Sequence, residues 1–435
     1  MGEQQYLANL GISALNEMQQ QVFDTYNGAN DLILLSPTGS GKTLAFSLII
    51  QKRLRDHASG KIQALIIAPT RELALQIEQV LRKMPNHPKV TCLYGGNDLR
   101  TEKNKLKEAP QILVGTPGRI IYHLERHNID LSELDTLVLD EFDKSLELGF
   151  HEQMEQIVGE TGHSFQMLTS ATELEEIPEF LTLKDVASVN FLHEKGYAPD
   201  LTFRTVTASP QNKLKALLKL ICKLGSEQKT LIFCNHREAV DHISELLADR
   251  DIIHDVFHGG LEQADRELAL LKFRNGSTHI LLTTDLAARG LDIPEVDAII
   301  HYQLPYKQDA FVHRNGRTAR MQAKGTVYLL LKPEDDFPYL TDAMEEEVLE
   351  DEYPLPSNSK MTTLMFTAGK RDKVSKGDIV GYLLNLPGVA KEEVGMIEIK
   401  EKNAFVAVTR SSVTTILQKG NNGRIKGTKV RILRS

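Results

Sequence analysis

Cysteine and long apolar runs are both scarce in this 435-residue sequence. Its three cysteines, Cys92, Cys222 and Cys234, are too few and too scattered for a disulfide framework or a zinc site. Each follows or lies within an apolar segment, so we expect buried free thiols. No apolar run is long enough to cross a bilayer, and no signal-peptide apolar segment is present. These absences exclude a disulfide-rich secreted scaffold and predict a cytoplasmic protein.

The composition is ordinary for a globular protein, but its charge is unevenly distributed. Hydrophobic residues make up 41% and charged residues 25% of the chain, and the length predicts two to three domains. The net charge is −8, yet residues 361–435 hold 14 Lys and Arg against 6 Asp and Glu. That balance of +8 leaves −16 for the rest of the chain. A basic appendage on an acidic body can bind a polyanion through phosphate contacts.

A glycine-rich turn follows the first apolar run. Residues 36–43 read Ser-Pro-Thr-Gly-Ser-Gly-Lys-Thr, between a predicted strand at Leu32–Leu35 and a predicted helix at Leu44–Ile50. In such a turn the backbone N–H groups hold nucleotide phosphates, Lys42 reaches the β- and γ-phosphates, and the Thr43 hydroxyl ligates Mg²⁺. The usual first glycine is missing, and a flexible Gly/Ser loop is the alternative. The expected nucleotide-binding residues of this turn are Thr38, Gly39, Ser40, Gly41, Lys42 and Thr43.

Short apolar runs alternate with helical patterns along most of the chain. Strands that are apolar throughout are typical of a parallel sheet with both faces covered. The pattern restarts near residue 230, so we expect two α/β domains joined within residues 191–207. The predicted strands are Leu32–Leu35, Ala64–Ala68, Val90–Leu93, Ile112–Val114, Leu137–Leu139, Gln166–Leu168, Thr230–Phe233, His254–Phe257, His279–Thr283, Ala298–His301 and Thr326–Leu331.

Residues 361–435 predict a separate small α+β unit. Its elements are expected in the order βαββαβ, a ferredoxin-like arrangement that RNA-recognition modules use. The acidic segment before it, residues 333–356, predicts a short solvated helix followed by a Pro/Ser tether. The predicted elements of the unit are the strand Thr363–Thr367, the helix Gly377–Leu386, the strands Glu393–Ile399 and Ala404–Val408, the helix Val413–Gln418 and the strand Thr428–Leu433.

Two adjacent carboxylates, Asp140 and Glu141, follow the apolar run Leu137–Leu139. Beside a phosphate-binding turn, one acid at a strand's carboxyl end can hold Mg²⁺ through water while its neighbour positions the attacking water. We assign the metal role to Asp140 and the water role to Glu141. Solvated acids at a strand-to-helix turn are the alternative.

Three arginines lie close together in the second α/β domain, within His313–Arg320. Guanidinium groups can stabilise charge on a transferring γ-phosphoryl group. Arg317 and Arg320 are three residues apart, so both can face one side of a helix. A basic surface helix is the alternative.

In this order the segments resemble the motifs of DEAD-box ATP-dependent RNA helicases of superfamily 2, from about Gly11 to Leu331. The resemblance implies RecA-like sheets in both α/β domains, with ATP and Mg²⁺ as cofactors and RNA as the bound polymer. The matching segments are an adenine-reading segment (Gly11–Gln19), motif I (Ser36–Thr43), motif Ia (Pro69–Ala74), a double-glycine turn (Gly95-Gly96), motif Ib (Thr116–Arg119), motif II (Asp140–Asp143), motif III (Ser170–Thr172), motif IV (Leu231–Arg237), Gln263 with Arg266, motif V (Thr284–Asp292) and motif VI (His313–Arg320).

The resemblance also implies roles for individual residues. Gln19 is expected to contact the adenine, and Asp292 completes the ATP site. The implied catalytic residues are Lys42, Asp140, Glu141, Arg317 and Arg320. The residues implied to couple the two sites are Asp143, Ser170, Thr172 and His313. The implied RNA contacts of the helicase core, to sugar and phosphate, are Arg71, Gly96, Thr116, Arg119 and Thr284.

Three positions depart from the family pattern. Phe142 stands where motif II has alanine, so the packing under motif III must accommodate a ring. Asn16 stands where the adenine-reading segment has a hydroxyl residue that contacts the phosphate-binding turn. The family's upstream aromatic, which stacks on adenine, has no obvious counterpart, because Tyr6 is at the wrong spacing. We therefore expect looser selectivity for adenine.

The C-terminal unit resembles the RNA-binding domain of DbpA-type helicases, at Thr367–Lys373, Gly377–Ile379 and Gly423–Gly427. That resemblance implies recognition of a large-subunit ribosomal RNA hairpin, on immature ribosomes. Phe366 and Phe405 lie on the central strands, where they either stack on bases or pack in the core. The expected RNA contacts of this unit are Lys370, Arg371 and Lys373, which crowd one loop, together with Arg424 and Lys426.

We therefore expect a cytoplasmic, monomeric ATP-driven RNA helicase that remodels ribosomal RNA during large-subunit assembly. The expected domains are a RecA-like ATP-binding domain (1–196), a second RecA-like domain (205–333), an acidic and Pro/Ser-containing linker (334–360) and an RNA-recognition domain (361–435). Two alternatives remain open on the sequence. One is a non-catalytic RNA clamp whose site is disturbed by Phe142, and the other is a DNA-directed translocase.

Overall fold

The computed structural model describes residues 2–55, 60–162, 164–173, 176–192, 194, 200–285, 296–318, 324–340 and 344–435. Within these ranges, no helix has the length and apolar character needed to span a membrane. The chain forms two units, the first built mainly from residues 2–200 and the second mainly from residues 201–435. The described residues 315–318 group with the first unit.

The first unit is a seven-stranded parallel sheet with the strand order β3-β4-β2-β5-β6-β1-β7. Its strands are β1 (Leu32–Leu35), β2 (Ala64–Ile67), β3 (Val90–Leu93), β4 (Ile112–Gly115), β5 (Thr136–Leu139), β6 (Phe165–Ser170) and β7 (Ala187–Asn190). Its helices are α1 (Gly2–Leu10), α2 (Glu17–Thr25), α3 (Lys42–Arg53), α4 (Arg71–Leu81), α5 (Leu99–Leu106), α6 (Pro117–Leu124), α7 (Phe142–Glu147) and α8 (His151–Glu160).

Apolar cores on both faces of this sheet explain why its strands are apolar throughout. Neighbouring residues along a strand point to opposite faces, and here they enter different cores. Leu34 and Ile66 belong to one buried cluster, whereas Ile33 and Leu65 belong to the other. The predicted parallel-sheet fold is confirmed, with strand ends within two residues of the prediction.

The second unit contains another seven-stranded sheet, with the order β10-β11-β9-β12-β13-β8-β14. Its strands are β8 (Asp200–Thr207), β9 (Thr230–Phe233), β10 (Asp255–Phe257), β11 (Ile280–Thr283), β12 (Ala298–His301), β13 (Lys324–Leu331) and β14 (Glu345–Glu346). Its described helices are α9 (Lys213–Leu224), α10 (Arg237–Ala248), α11 (Gln263–Arg274) and α12 (Gln308–Asn315). All three cysteines of the chain are free and buried, as predicted, and burial raises the pKa of the Cys234 thiol to about 12.

The acidic segment does not form the predicted helix in its described part. Glu345–Glu346 instead adds β14 to the sheet, parallel to β8. The next residue, Glu347, is buried, and its carboxylate forms ion pairs with Arg204 and Lys223. Cations from distant parts of the chain therefore offset the burial of this acid. The prediction of a helix was wrong, whereas the other carboxylates of the run are exposed, as predicted: Glu345, Glu346, Glu350, Asp351 and Glu352.

The C-terminal domain is a four-stranded antiparallel sheet with the order β16-β17-β15-β20, which confirms the ferredoxin-like prediction. Its last strand is shorter than predicted, because Thr428–Lys429 pairs with Arg424–Ile425 in a separate hairpin. Its elements are β15 (Met361–Phe366), α13 (Lys376–Leu384), β16 (Val394–Ile399), β17 (Ala404–Thr409), α14 (Val413–Gly420), β18 (Arg424–Ile425), β19 (Thr428–Lys429) and β20 (Ile432–Arg434).

Within the second unit, the C-terminal domain contacts the turn after α11. The Arg274 guanidinium lies 3.1 Å from the Glu398 carboxylate, and the Asn275 side chain donates to the Thr363 hydroxyl at 2.9 Å. The Ser277 hydroxyl also lies 2.8 Å from that of Thr363. These contacts attach the outer face of the small sheet to the α11 turn.

Candidate active site and nucleic-acid interface

The glycine-rich turn connects β1 to α3, as the sequence predicts. Gly39 (φ 85°) and Gly41 (φ 92°) are left-handed, a conformation that glycine adopts without a steric cost. Lys42 is buried, and its ammonium group donates to the carbonyl oxygens of Ser36 at 2.6 Å and Pro37 at 3.1 Å. Burial lowers the pKa of Lys42, and the Glu141, Asp140 and Asp143 carboxylates partly offset that effect. The lysine is therefore held inside the turn, close to the acids of motif II.

The adenine-reading segment packs directly on this turn. Asn16 caps the N-terminus of α2, and its side-chain amide donates to the carbonyl oxygen of Ser40 at 2.9 Å. Gln19 donates to the carbonyl oxygen of Gly41 at 3.2 Å and accepts from the Asn16 backbone. An amide at position 16 thus reaches the phosphate-binding turn where the family pattern has a hydroxyl. Tyr6 is fully buried in the core, so it has no surface to offer an adenine ring.

The acid pair lies at the carboxyl end of β5, as predicted. Asp140 is buried, and its pKa is raised to about 6 by burial and by the neighbouring Glu141, against a hydrogen bond from Thr169. Glu141 has a left-handed backbone (φ 47°), and its Oε2 is buried without a hydrogen bond among the described residues. The solvated-acid alternative is wrong, because both carboxylates are shielded from solvent. A polar group so placed has lost its water contacts and can accept a hydrogen bond from a ligand.

Thr169 connects the two acids, and sequence reasoning did not single it out. Its hydroxyl donates to Asp140 at 2.5 Å and accepts from the Glu141 backbone N–H at 3.3 Å. The residue is fully buried on β6. Its position immediately before motif III is the only signal in the sequence that could have suggested a role.

Motifs II and III are joined by hydroxyl hydrogen bonds. The Thr172 hydroxyl donates to Asp143 at 2.7 Å, and the Ser170 hydroxyl donates to the carbonyl oxygen of Thr172 at 2.6 Å. The Phe142 ring is fully buried in the apolar core, where it meets Phe180 edge to face. The core of the first unit therefore accommodates the ring that replaces the family's alanine.

The predicted RNA contacts of the first unit surround the double-glycine turn. The Arg71 guanidinium stacks on Tyr94, 4.4 Å from the ring centre, and Gly96 follows with φ 86°. On the other side, Arg119 donates to the carbonyl oxygen of Asn97 at 2.9 Å. Thr116 precedes α6, and its backbone donates to Leu93 at the end of β3. The structure thus brings Arg71, Gly96, Thr116 and Arg119 together along one edge of the sheet.

Arg314 connects motifs IV, V and VI within the second unit. Its fully buried guanidinium pairs with Asp285 at 2.5 Å and donates to the Asn235 side chain at 2.8 Å and the Gln303 carbonyl at 2.7 Å. His313 is buried beside it on α12. This helix ends at Asn315, so Arg317 does not lie on it as predicted, and Arg317 is also buried. A basic surface helix is therefore the wrong description of these residues.

Thr284 follows β11 and is half-buried. Two of the predicted site residues, Asp292 and Arg320, lie outside the described residues.

The basic loops of the C-terminal domain lie side by side. Lys370, Arg371 and Lys373 are exposed in and after a 3-10 turn, and the Lys426 ammonium donates to the Lys373 carbonyl at 3.0 Å. Arg424 is exposed in the neighbouring hairpin. Together these five residues form an exposed cationic cluster, which we call the basic edge.

The two aromatic residues of the small sheet have different surroundings. Phe366 is fully buried in the core of the domain, so it packs rather than stacks on bases. Phe405 is half-buried and pairs with Met365 and Glu398 on the neighbouring strands.

Three family descriptions match consecutive parts of the chain: DEAD/DEAH box helicase over residues 16–180, helicase conserved C-terminal domain over residues 212–322, and DbpA RNA binding domain over residues 363–434. The ATP-dependent RNA helicase DbpA of Escherichia coli (strain K12) is 30% identical over 447 residues, which covers 98% of this chain and 95% of the relative. DbpA of Bacillus subtilis (strain 168) is 30% identical over 464 residues, covering 98% and 96%.

Two solved structures share the fold. Mss116p lacking its NTE and C-tail, bound to ssRNA and AMP-PNP, superposes with a TM-score of 0.70 at 26% identity, covering 80% of this chain and 77% of that one. Saccharomyces cerevisiae Dbp5 bound to RNA and ADP BeF3 superposes with a TM-score of 0.68 at 23% identity, covering 77% and 88%.

Two RecA-like sheets, a phosphate-binding turn and the buried acid pair beside it define a DEAD-box helicase, an enzyme that hydrolyses ATP in response to RNA. The C-terminal domain, which matches the DbpA RNA binding domain, indicates the type of DEAD-box helicase. The chain belongs to the DbpA type of ATP-dependent RNA helicases.

Proposed function

We propose that this chain couples ATP hydrolysis to the local unwinding of ribosomal RNA during large-subunit assembly. The observation that carries the catalytic part is the convergence of Lys42, Asp140 and Glu141, all buried, at the carboxyl edge of the first sheet. The buried Lys42 ammonium attracts a triphosphate strongly because little water screens its charge, whereas the two carboxylates would act on the phosphates through Mg²⁺ and water. Buried free cysteines and the absence of a membrane-spanning helix among the described residues agree with a cytoplasmic protein, which we propose acts as a monomer.

The residues of the first unit suit the parts of phosphoryl transfer. Lys42 would contact the β- and γ-phosphates, and the buried Oε2 of Glu141 would accept a hydrogen bond from the attacking water and orient it. The Thr43 hydroxyl and the Asp140 carboxylate are oxygen donors of the kind that Mg²⁺ prefers. When bound, Mg²⁺ neutralises charge on the phosphates. We further propose that Arg317 and Arg320 stabilise the γ-phosphoryl group.

The water-positioning role of Glu141 can be tested with Glu141→Gln. We expect RNA-stimulated phosphate release to fall about 10²- to 10⁴-fold, while RNA and a non-hydrolysable ATP analogue still bind together. Glu152→Gln, at an exposed acid on α8, is the matched control and should hydrolyse ATP normally. Undiminished turnover in Glu141→Gln would remove this residue from the mechanism.

Targeting to ribosomal RNA is supported by the basic edge of the C-terminal domain. Lysine and arginine side chains there are exposed and gathered in adjacent loops, as phosphate recognition requires. The helicase-core contacts at Arg71, Gly96, Thr116, Arg119 and Thr284 would touch backbone rather than base edges. We therefore propose that the motor is indifferent to sequence and that selectivity resides in the C-terminal domain.

The ATPase response to a panel of ribosomal RNA fragments tests this assignment. Replacing Lys370, Arg371 and Lys373 with alanine should raise the apparent KM for the preferred fragment at least about tenfold, with little change for unstructured RNA. Lys391→Ala combined with Lys419→Ala, at two exposed lysines outside the basic edge, is the matched control. Equal responses to all fragments in the unaltered protein would refute the targeting proposal, as would an unchanged KM in the triple variant.

A further inference from the structure

A fully buried carboxylate lies behind the double-glycine turn. Glu102, in the first turn of α5, is 0% exposed, and so is His123 on α6. One oxygen of Glu102, Oε2, accepts from Arg119 Nε at 2.7 Å and lies 3.0 Å from His123 Nε2. Charged groups are rarely buried unless they are paired, because removal from water costs several kcal/mol. The burial of Glu102 therefore depends on its ion pair with Arg119.

Arg119 uses its guanidinium group to join two segments. Its Nε is held by Glu102, and its Nη2 donates to the carbonyl oxygen of Asn97, immediately after the double-glycine turn. Its Nη1 donates no hydrogen bond within the described residues, although the guanidinium also lies 5.2 Å from the centre of the Tyr122 ring. The side chain is 13% exposed, so part of it remains accessible to a ligand. A guanidinium group can present two parallel N–H donors to a phosphate, and it loses less freedom on binding when its other N–H groups are already hydrogen-bonded to the protein.

The turn itself depends on α5 for its position. Asp98 caps α5 by accepting from the Thr101 backbone, and the Glu102 backbone donates to the Asp98 carbonyl at 3.1 Å. The turn residues Gly95–Asn97 therefore lead directly into the helix that carries Glu102. Glu102 and Arg119 close this segment against the first turn of α6.

We propose that Glu102 is a positioning residue for RNA binding, acting through Arg119. It holds the guanidinium so that Nη1 faces a phosphate. It also fixes the double-glycine turn against the start of α6, so that these two segments present one rigid surface. The proposal rests on the proposed role of these two segments as RNA contacts. It assigns to Glu102 no direct contact with RNA or ATP.

The test combines Glu102→Gln and Glu102→Ala with Arg119→Met in the full chain. Glutamine keeps an oxygen for Arg119 Nε but loses the charge, so we expect the KM for unstructured RNA in the ATPase assay to rise about threefold, and about tenfold for alanine. The turnover at saturating RNA and the affinity for a fluorescent ADP analogue without RNA should not change. Glu125→Ala, an exposed acid on the C-terminal side of α6, is the matched control.

The double variant separates positioning from general stability. If Glu102 acts through Arg119, adding Glu102→Gln to Arg119→Met should produce no further rise in the RNA KM, even where the melting temperature falls again. An additive rise, or an unchanged KM in folded Glu102→Gln, would overturn the proposal. Should Glu102→Ala fail to fold, the proposal is decided by comparing Glu102→Gln alone with Glu102→Gln combined with Arg119→Met. If Arg119→Met leaves RNA affinity intact, the proposed RNA contact itself fails, which is distinguishable from failure of Glu102.

Discussion

Removal of a single hydroxyl, in Thr169→Val, tests whether the acid pair depends on its neighbour in β6. Valine matches threonine in shape, so the fully buried site should keep its packing. The substitution removes one hydrogen bond to the Asp140 carboxylate and one acceptor for the Glu141 N–H. A hydrogen bond to a charged group contributes about 1.5–3 kcal/mol. If the hydrogen bonds of the Thr169 hydroxyl orient the two acids for hydrolysis, turnover of Thr169→Val should fall about 10- to 100-fold.

The direction of the pH dependence follows from the same contacts. Burial and the neighbouring Glu141 raise the pKa of Asp140 to about 6, and the Thr169 hydroxyl opposes that rise. Without the hydroxyl, the pKa of Asp140 rises further and more of the acid is neutral near pH 6. In the protein without nucleotide or metal, we therefore expect the Asp140 carboxyl to titrate at a higher pH in Thr169→Val than in Thr169→Ser, as followed by NMR of carboxyl-labelled protein.

Steady-state phosphate release at saturating RNA and ATP is the appropriate assay. Thr169→Ser keeps the hydroxyl and should retain most of the activity, which separates the hydrogen bonds from a packing effect. Turnover of Thr169→Val within twofold of the unaltered protein would refute the reasoning. A loss shared equally by valine and serine would refute it as well, because it would point to packing.

Three further substitutions have expected outcomes. Gly41→Ala forces a left-handed backbone on alanine and places a Cβ 2.3 Å from Gln19 Nε2, so binding of a fluorescent ATP analogue should weaken at least about tenfold; normal affinity would contradict the requirement for glycine. Burial raises the pKa of Asp255 to about 6, so the native protein binds more protons than the unfolded chain between about pH 4 and pH 6 and loses stability as pH rises through that range. Asp255→Asn should lack this loss, and urea unfolding at pH 4.5 and pH 7 should show a difference of up to about 2 kcal/mol from the unaltered protein; parallel pH profiles would exclude the shift. Reversal of Arg274 alone, Arg274→Glu, should speed proteolysis of the segment before the C-terminal domain, and adding Glu398→Arg should reverse the effect; equal cleavage of all variants would rule out the contact.

The acidic segment shows where composition misleads. A run of carboxylates between residues 345 and 352 predicts a solvated helix, because isolated charges favour water. The structure instead buries Glu347 between Arg204 and Lys223, which come from other strands and helices. Only the folded chain brings those cations within reach, so local sequence could not have indicated the strand.

The aromatic and basic residues show the same limit at single positions. Alternation along each strand does not say which face Phe366 or Phe405 occupies. The strand register pairs Phe366 with Ala404 and Phe405 with Met365, so the two rings lie on opposite faces. The helices of the domain cover the face of Phe366. Likewise, the three arginines of motif VI look equivalent in the sequence. In the structure, Arg314 forms an ion pair with Asp285 and donates a hydrogen bond to Asn235, both in its own unit.

The two parallel sheets, the small ferredoxin-like domain, and the placement of the glycine-rich turn and the acid pair at strand ends were predictable from the sequence. These features depend on apolar periodicity and on short contiguous motifs, and both are local. Only the folded structure shows that Thr169 contacts both acids, that Asn16 contacts the glycine-rich turn, and that Glu102 contacts Arg119. Each is a contact between residues far apart along the chain, created when the packed sheet fixes their distance.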